Sequence, residues 1–122
     1  MKDKKLIIGY RNKKIKLIVK ECNLFEKGIG LMFSQKDKAR ILLFSFKRKQ
    51  KIAIHSFFVL YPFIAVWLDD KNKVADLKIV QPFESFVSPR KKVFKLVEVP
   101  INKKNKKITK FFGVPSIKNR NI

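Results

Sequence analysis

With 122 residues, 46% of them hydrophobic, and a formal charge of +21, the chain fits one compact domain. Its twelve Phe residues alone supply apolar surface against the entropy of ordering, which excludes wholesale disorder. One Cys and one His cannot supply an intramolecular disulfide or the roughly four ligands of a zinc site, so a reducing, cytoplasmic compartment is expected, with no metal and no cofactor.

The apolar run at residues 6–8 is far shorter than a signal-peptide core of about 7–15 residues, so no export is expected. Residues 6–10 and 15–19 flank the polar stretch RNKK and predict a hairpin. In residues 21–33, Leu24, Phe25, Ile29, Met32 and Phe33 fit a helical stripe better than alternation. One short helix or irregular turn is therefore expected around residues 23–33, broken near Gly28 and Gly30. Residues 39–46 and 51–58 are β-branched and aromatic and predict two strands, with KRKQ as the turn between them.

Residues 52–68, IAIHSFFVLYPFIAVWL, carry no formal charge in a chain otherwise crowded with lysine. The run is shorter than the roughly 20 residues of a membrane helix and contains His55, Ser56 and Pro62, so no transmembrane segment is expected. Pro62 lacks a backbone donor and ends one strand before the next, residues 63–68. Residues 69–72 form a turn, 73–80 alternate as a strand, 81–90 form a loop, and 93–99 form a last strand ended by Pro100. About seven short strands with at most one helix predict a mainly β fold, a small β-sandwich or barrel, over residues 1–101. Residues 102–122 lack acidic side chains and read as a basic C-terminal tail with freedom to move.

Gly30, Leu31, Met32 and Phe33 resemble the Gly-Leu-Met-Phe signature of the domain of unknown function 192 family, also called uncharacterised protein family 0127. The resemblance continues in order through residues 41–46, 54–59, Tyr61 and Pro62, 67–69 and 95–100, about four fifths of the chain. It implies an all-β, jelly-roll-like domain with no established activity. Family members usually carry an Arg after the signature and an Asp two residues after the proline, where this chain has Ser34 and Ile64. His55 resembles an archaeal-type variant of the family.

His55, the lone imidazole, is the first candidate for a pocket residue, since a neutral ring both donates and accepts a hydrogen bond. Met32, Phe58 and Glu98 are candidate walls of the same pocket. A buried Glu98 needs a partner or a raised pKa. The alternative reading for His55 is a structural histidine within the sheet, and for Met32 and Phe33 it is the core. Asp69 and Asp70 read as a solvated turn, and Ser34, Ser45, Ser56 and Cys22 show no triad-like setting, so no catalytic residue is assigned.

Two functions follow: a non-enzymatic binding module with a small pocket near His55 for an unknown small ligand or protein, or a basic surface that associates non-specifically with nucleic acid or anionic membrane. For the second, Arg90, Lys91, Lys92, Lys103 and Lys104 are the candidate phosphate contacts, with nearby Phe rings for stacking. Lysine dominates over arginine, which suits phosphate contact more than base recognition. The same abundance of Lys, Ile, Asn and Phe is what an AT-rich genome encodes without selection for binding.

Overall fold

The computed structural model describes residues 2–23 and 30–115, the Lys2 side chain excepted. Its strands are β1 (Lys2–Tyr10), β2 (Lys13–Glu21), β3 (Leu42–Gln50), β4 (Phe63–Leu68), β5 (Val74–Val80) and β6 (Val93–Pro100). They form one six-stranded sheet in the order β1-β2-β3-β6-β4-β5, antiparallel throughout except where β2 meets β3 through Lys20↔Leu42 and Glu21↔Leu43. The sheet curls into a half-barrel. Its two edges approach at Gly9, which pairs with Lys73 and donates its N–H to the Asn72 carbonyl at 3.0 Å.

The hairpin turns on Arg11 and Asn12, both in the left-handed region, as a two-residue connection matched to strand twist requires. Its alternation points Leu6, Ile8, Leu17 and Val19 inward and leaves Ile7 and Ile18 exposed. These inward residues meet Leu43, Ile64, Val66, Leu68, Val97 and Val99 in an inner core layer. Within the segment read as a basic tail, Asn102 caps a 3-10 turn, Lys103–Asn105, that runs into the helix α1 (Lys106–Phe111). Phe112 and Val114 just beyond it are buried in the inner layer. The helix expected around residues 23–33 falls mostly on residues outside those described, and Gly30 to Phe33 form a turn.

Every residue of β4 is buried, because Phe63, Ala65 and Trp67 face a second, outer layer while Ile64, Val66 and Leu68 face the inner one. Two segments, residues 51–62 and 81–92, cross the convex side of the sheet and cover that outer layer with Ile52, Val59, Tyr61 and Val87. Here the structure departs from the expected strand at residues 51–58, which form a loop with one bridge, Ile54↔Val87. The KRKQ stretch, expected as a turn, is instead the exposed end of β3, past a register shift between Ser45 and Gln50. An uncharged run is equally at home paired within a sheet or packed across one, and its periodicity does not separate the two.

The covering loop is fastened by Trp67, whose buried Nε1 donates to the Ile52 carbonyl at 2.8 Å. Trp67→Phe removes that donor and part of the ring volume, and orphans a carbonyl in the outer layer. The variant is expected to lose about 2–4 kcal/mol of stability in urea unfolding while keeping a β-type far-ultraviolet circular dichroism spectrum.

Candidate functional site

Alternation along β6 sends Val97 and Val99 to the inner layer and Leu96 and Glu98 to the outer one. Register places Glu98 between Leu42 on β3 and Ala65 on β4, two apolar neighbours, and leaves the residue only 5% exposed. The turn at residues 30–34 lies over it. A Cβ on Gly30 would sit 3.3 Å from Glu98 Oε1 and 3.8 Å from Phe44 Cζ, and Gly30 has φ +54, so both space and conformation call for glycine. Among the described residues no hydrogen bond or ion pair reaches the Glu98 carboxyl. Burial alone therefore pushes its pKa up to about 8, and the group is held protonated at neutral pH.

Beside it stands a hydroxyl pair. Ser34 Oγ donates to the Leu31 carbonyl at 2.5 Å, which spends its one hydrogen, so at 2.5 Å the buried Tyr61 hydroxyl is the donor to Ser34. Burial raises the Tyr61 pKa, and a charge on Glu98 adds to the rise. The polar content of this corner is thus a neutral carboxyl, a phenol and a serine hydroxyl.

Three loops meet at this end of the sheet. The Phe33 N–H donates to the Phe58 carbonyl at 2.9 Å, and the Phe83 N–H donates to the Ser56 carbonyl at 3.0 Å. Ser56 is fully buried, its Oγ donating to the Gln81 carbonyl at 2.5 Å and accepting from the Glu84 N–H at 2.7 Å. At the far stem, Asp76 accepts from the backbone N–H groups of Arg90 and Leu77 at 2.9 Å and from the Arg90 guanidinium at 3.1 Å. Burial opposes ionisation of Asp76, but these bonds outweigh it and hold its pKa below the usual carboxylate range. Phe33 (73% exposed), Phe58 (51%), Leu60 (70%) and Phe83 (55%) project from the joined loops.

His55 lies exposed on the middle loop rather than inside the sheet, with its Nδ1 accepting the Phe57 N–H at 3.1 Å and its ring 5.2 Å from that of Phe57. No hydrogen bond or ion pair joins it to Glu98 among the described residues. Met32 is half-buried against the outer layer, and Phe58 stacks on Phe33 at 5.2 Å. Met32, Phe58 and Glu98 thus gather around the turn at residues 30–34, which the Phe33–Phe58 backbone bond ties to the middle loop. Sequence reasoning missed Tyr61 and Ser56. A hydroxyl inside an uncharged run is the signal that marks both, since a buried hydroxyl must find partners. Lys91 and Lys92 are exposed just before β6 and Lys103 and Lys104 just after it, so the two basic clusters stand at opposite ends of that strand, roughly 25 Å apart by strand rise.

No family model matches the chain. Over 79 residues it is 27% identical to an uncharacterised UPF0127 protein of Pyrococcus abyssi, covering 65% of this chain and 67% of that protein. In fold it is similar to a putative transcription regulator of Sinorhizobium meliloti 1021, with a TM-score of 0.70 and 16% identity over 93% of this chain and 88% of that one. It is also similar to a protein of unknown function from Novosphingobium aromaticivorans DSM 12444, with a TM-score of 0.72 and 10% identity over 93% and 80% of the two chains. The fold is therefore shared with solved structures, and the sequence similarity points to an uncharacterised protein family. No helix among the described residues is long and apolar enough to cross a membrane.

The raised pKa of Glu98 fixes the sign of a pH effect. Below about 4.3 both folded and unfolded chains carry the proton, and between that value and about 8 only the folded chain does. Stability thus falls as pH rises through this window, by an amount on the order of a few kcal/mol. Urea unfolding at pH 5 and pH 9 is expected to show the loss in the wild type, and Glu98→Gln is expected to remove most of the difference.

Proposed function

We propose that the protein is a non-enzymatic β binding module of the domain of unknown function 192 family, with His55 as its archaeal-type variant, working in the cytoplasm. Its small-ligand site is centred on Glu98, with Met32 and Phe58 as walls and His55 on the adjoining loop. The observation that carries this reading is the Glu98 carboxyl itself, buried under a glycine turn with no partner among the described residues. An apolar side chain of similar volume would serve stability better at that position, so the carboxyl is a cost to the fold that a ligand offsets. The fitting ligand is small and polar on one side, exchanging hydrogen bonds with a neutral carboxyl and with the Tyr61 and Ser34 hydroxyls.

A fragment library screened by amide chemical shifts tests this. Binders are expected to move the signals of Gly30, Ser34 and Tyr61 together and to lose about ten-fold in affinity in Glu98→Leu, the loss of roughly one hydrogen bond to a buried group. Binders that ignore both Glu98→Leu and His55→Phe would count against the site.

The second reading, a basic surface for polyanions, is favoured by one observation: Lys91, Lys92, Lys103 and Lys104 are exposed and make no ion pair among the described residues. Non-specific duplex DNA should then bind with a logarithmic salt slope of about 0.9 for each phosphate contacted. Because Phe112 and Val114 belong to the inner layer, charge reversal tests this more cleanly than truncation. Lys103→Glu with Lys104→Glu is expected to flatten the slope measured by fluorescence anisotropy, and an unchanged slope would clear those lysines of any contact.

A further inference from the structure

The three joined loops share an unusual backbone. Phe33, Phe58 and Phe83, one on each loop, all lie in the left-handed region, with φ of 62, 62 and 63. Among the described residues the other non-glycine residues of this kind, Arg11, Asn12 and Asn72, sit in turns between strands, where the chain must reverse tightly. A bulky aromatic residue is a poor choice for such a conformation, and asparagine or glycine would occupy it with less strain. Here the conformation aims three phenyl rings outward from loops that are fastened to one another, with Leu60 beside them.

Cations border these rings. Lys36 and Lys38 flank Asp37 in the 3-10 turn just after Ser34. The Asn102 side-chain amide donates to the Lys36 carbonyl at 2.8 Å, which brings exposed Lys103 and Lys104 alongside that turn. Apolar tips on a rigid base, edged by lysine ammonium groups, match the interface of an anionic bilayer, where phenyl and leucyl groups enter the headgroup boundary and lysines meet the negative surface.

We propose that the end of the molecule carrying Phe33, Phe58, Leu60 and Phe83 is a peripheral docking face for anionic lipid membranes. The proposal rests on the polyanion reading above and gives it a partner. Lipid fits this face better than single-stranded nucleic acid on three counts. Leu60 is among its most exposed side chains and has no face on which a base can stack. The rings of Phe33 and Phe58 already stack on each other, at an interplanar angle of 20°. Arg40, the arginine of the neighbouring segment, is paired with Asp3.

Co-sedimentation of the full chain with vesicles of phosphatidylcholine mixed with phosphatidylserine, and with vesicles of phosphatidylcholine alone, tests it. Binding is expected to the anionic vesicles only, weakening with salt. Leu60→Ser with Phe83→Asn, which spares the Glu98 site, is expected to lose about ten-fold or more in vesicle affinity while its urea midpoint stays level or rises. No binding to anionic vesicles at low salt, or binding that the double variant leaves intact, overturns the proposal. If an oligothymidylate binds and the double variant abolishes that binding while vesicles are ignored, the face belongs to single-stranded nucleic acid and the proposal also fails. Retained binding of duplex DNA in a protein that ignores vesicles sinks lipid docking alone, whereas loss of both sinks the polyanion reading with it.

Discussion

The burial of β4 on both faces is the constraint on which the rest of the structure depends. Six consecutive apolar residues, Phe63 to Leu68, cannot be half-solvated, so the sheet needs a cover on each side. Curling supplies the inner cover, since bending the β1–β2 hairpin round until Gly9 meets Lys73 brings Leu6, Ile8, Leu17 and Val19 over Ile64 and Val66. No second sheet is present among the described residues to supply the outer one, and loops do it instead. Loops carry unpaired backbone groups that must be satisfied wherever they are buried. That requirement explains the buried Ser56, the Trp67 indole bond to Ile52 and the Asp76 carboxylate at the stem of residue 90.

Glu98 stands out against this pattern. Ser56 and Asp76 share its layer, and each is satisfied by loop backbone. Glu98 faces Leu42 and Ala65 across the sheet and the bare Cα of Gly30 above, without a comparable partner among the described residues. The balance is one-sided: a few kcal/mol for a carboxyl charged without compensation, against a native stability of about 5–15 kcal/mol for a typical domain. Protonation is the cheaper answer, and it converts an acceptor-only group into one that also donates. A neutral carboxyl next to the Tyr61 phenol is a different recognition surface from the carboxylate that composition alone suggests.

Much of the fold was legible because strand alternation and turn chemistry agree locally. Residues 63–68 read as a strand bounded by Pro62 and Asp69, and β4 spans those residues. The hairpin was legible for the same reason, as was the closing strand ahead of Pro100. Residues 51–58 were not, because whether an apolar segment pairs with a strand or lies across several is decided by long-range contacts such as Trp67 to Ile52. For the candidate site, a carboxyl at Glu98 was legible within an apolar strand, whereas Met32 and Phe58 were read as walls of a pocket around His55 and lie instead about the turn at residues 30–34. The solvent position of His55 was not, since it follows from the loop path rather than from residue type. Nor was the left-handed backbone at Phe33, Phe58 and Phe83, for which phenylalanine gives no local cue.

The two core layers differ in what they carry. In the inner layer alternating aliphatic side chains of the strands meet, and its polar neighbours Asn102, Asn105 and Thr109 are spent on holding the 3-10 turn and α1. The outer layer holds the Glu98 carboxyl, without a partner among the described residues, the Tyr61–Ser34 hydroxyl pair and three loops with one left-handed phenylalanine apiece, each a strain of about 1–3 kcal/mol. Strain of that total is tolerated only where other contacts over-determine the backbone, and the bonds of Ser56, Trp67 and Asp76 hold two of these loops while those of Phe33 and Ser34 hold the third. The inner layer therefore carries the stability that lets the outer one be built against local preference. The turn at residues 30–34 is where the two oddities of the outer layer meet, with the Glu98 carboxyl beneath Gly30 and the exposed ring of Phe33 three residues on, so a group bound at either place presses on the same few backbone atoms.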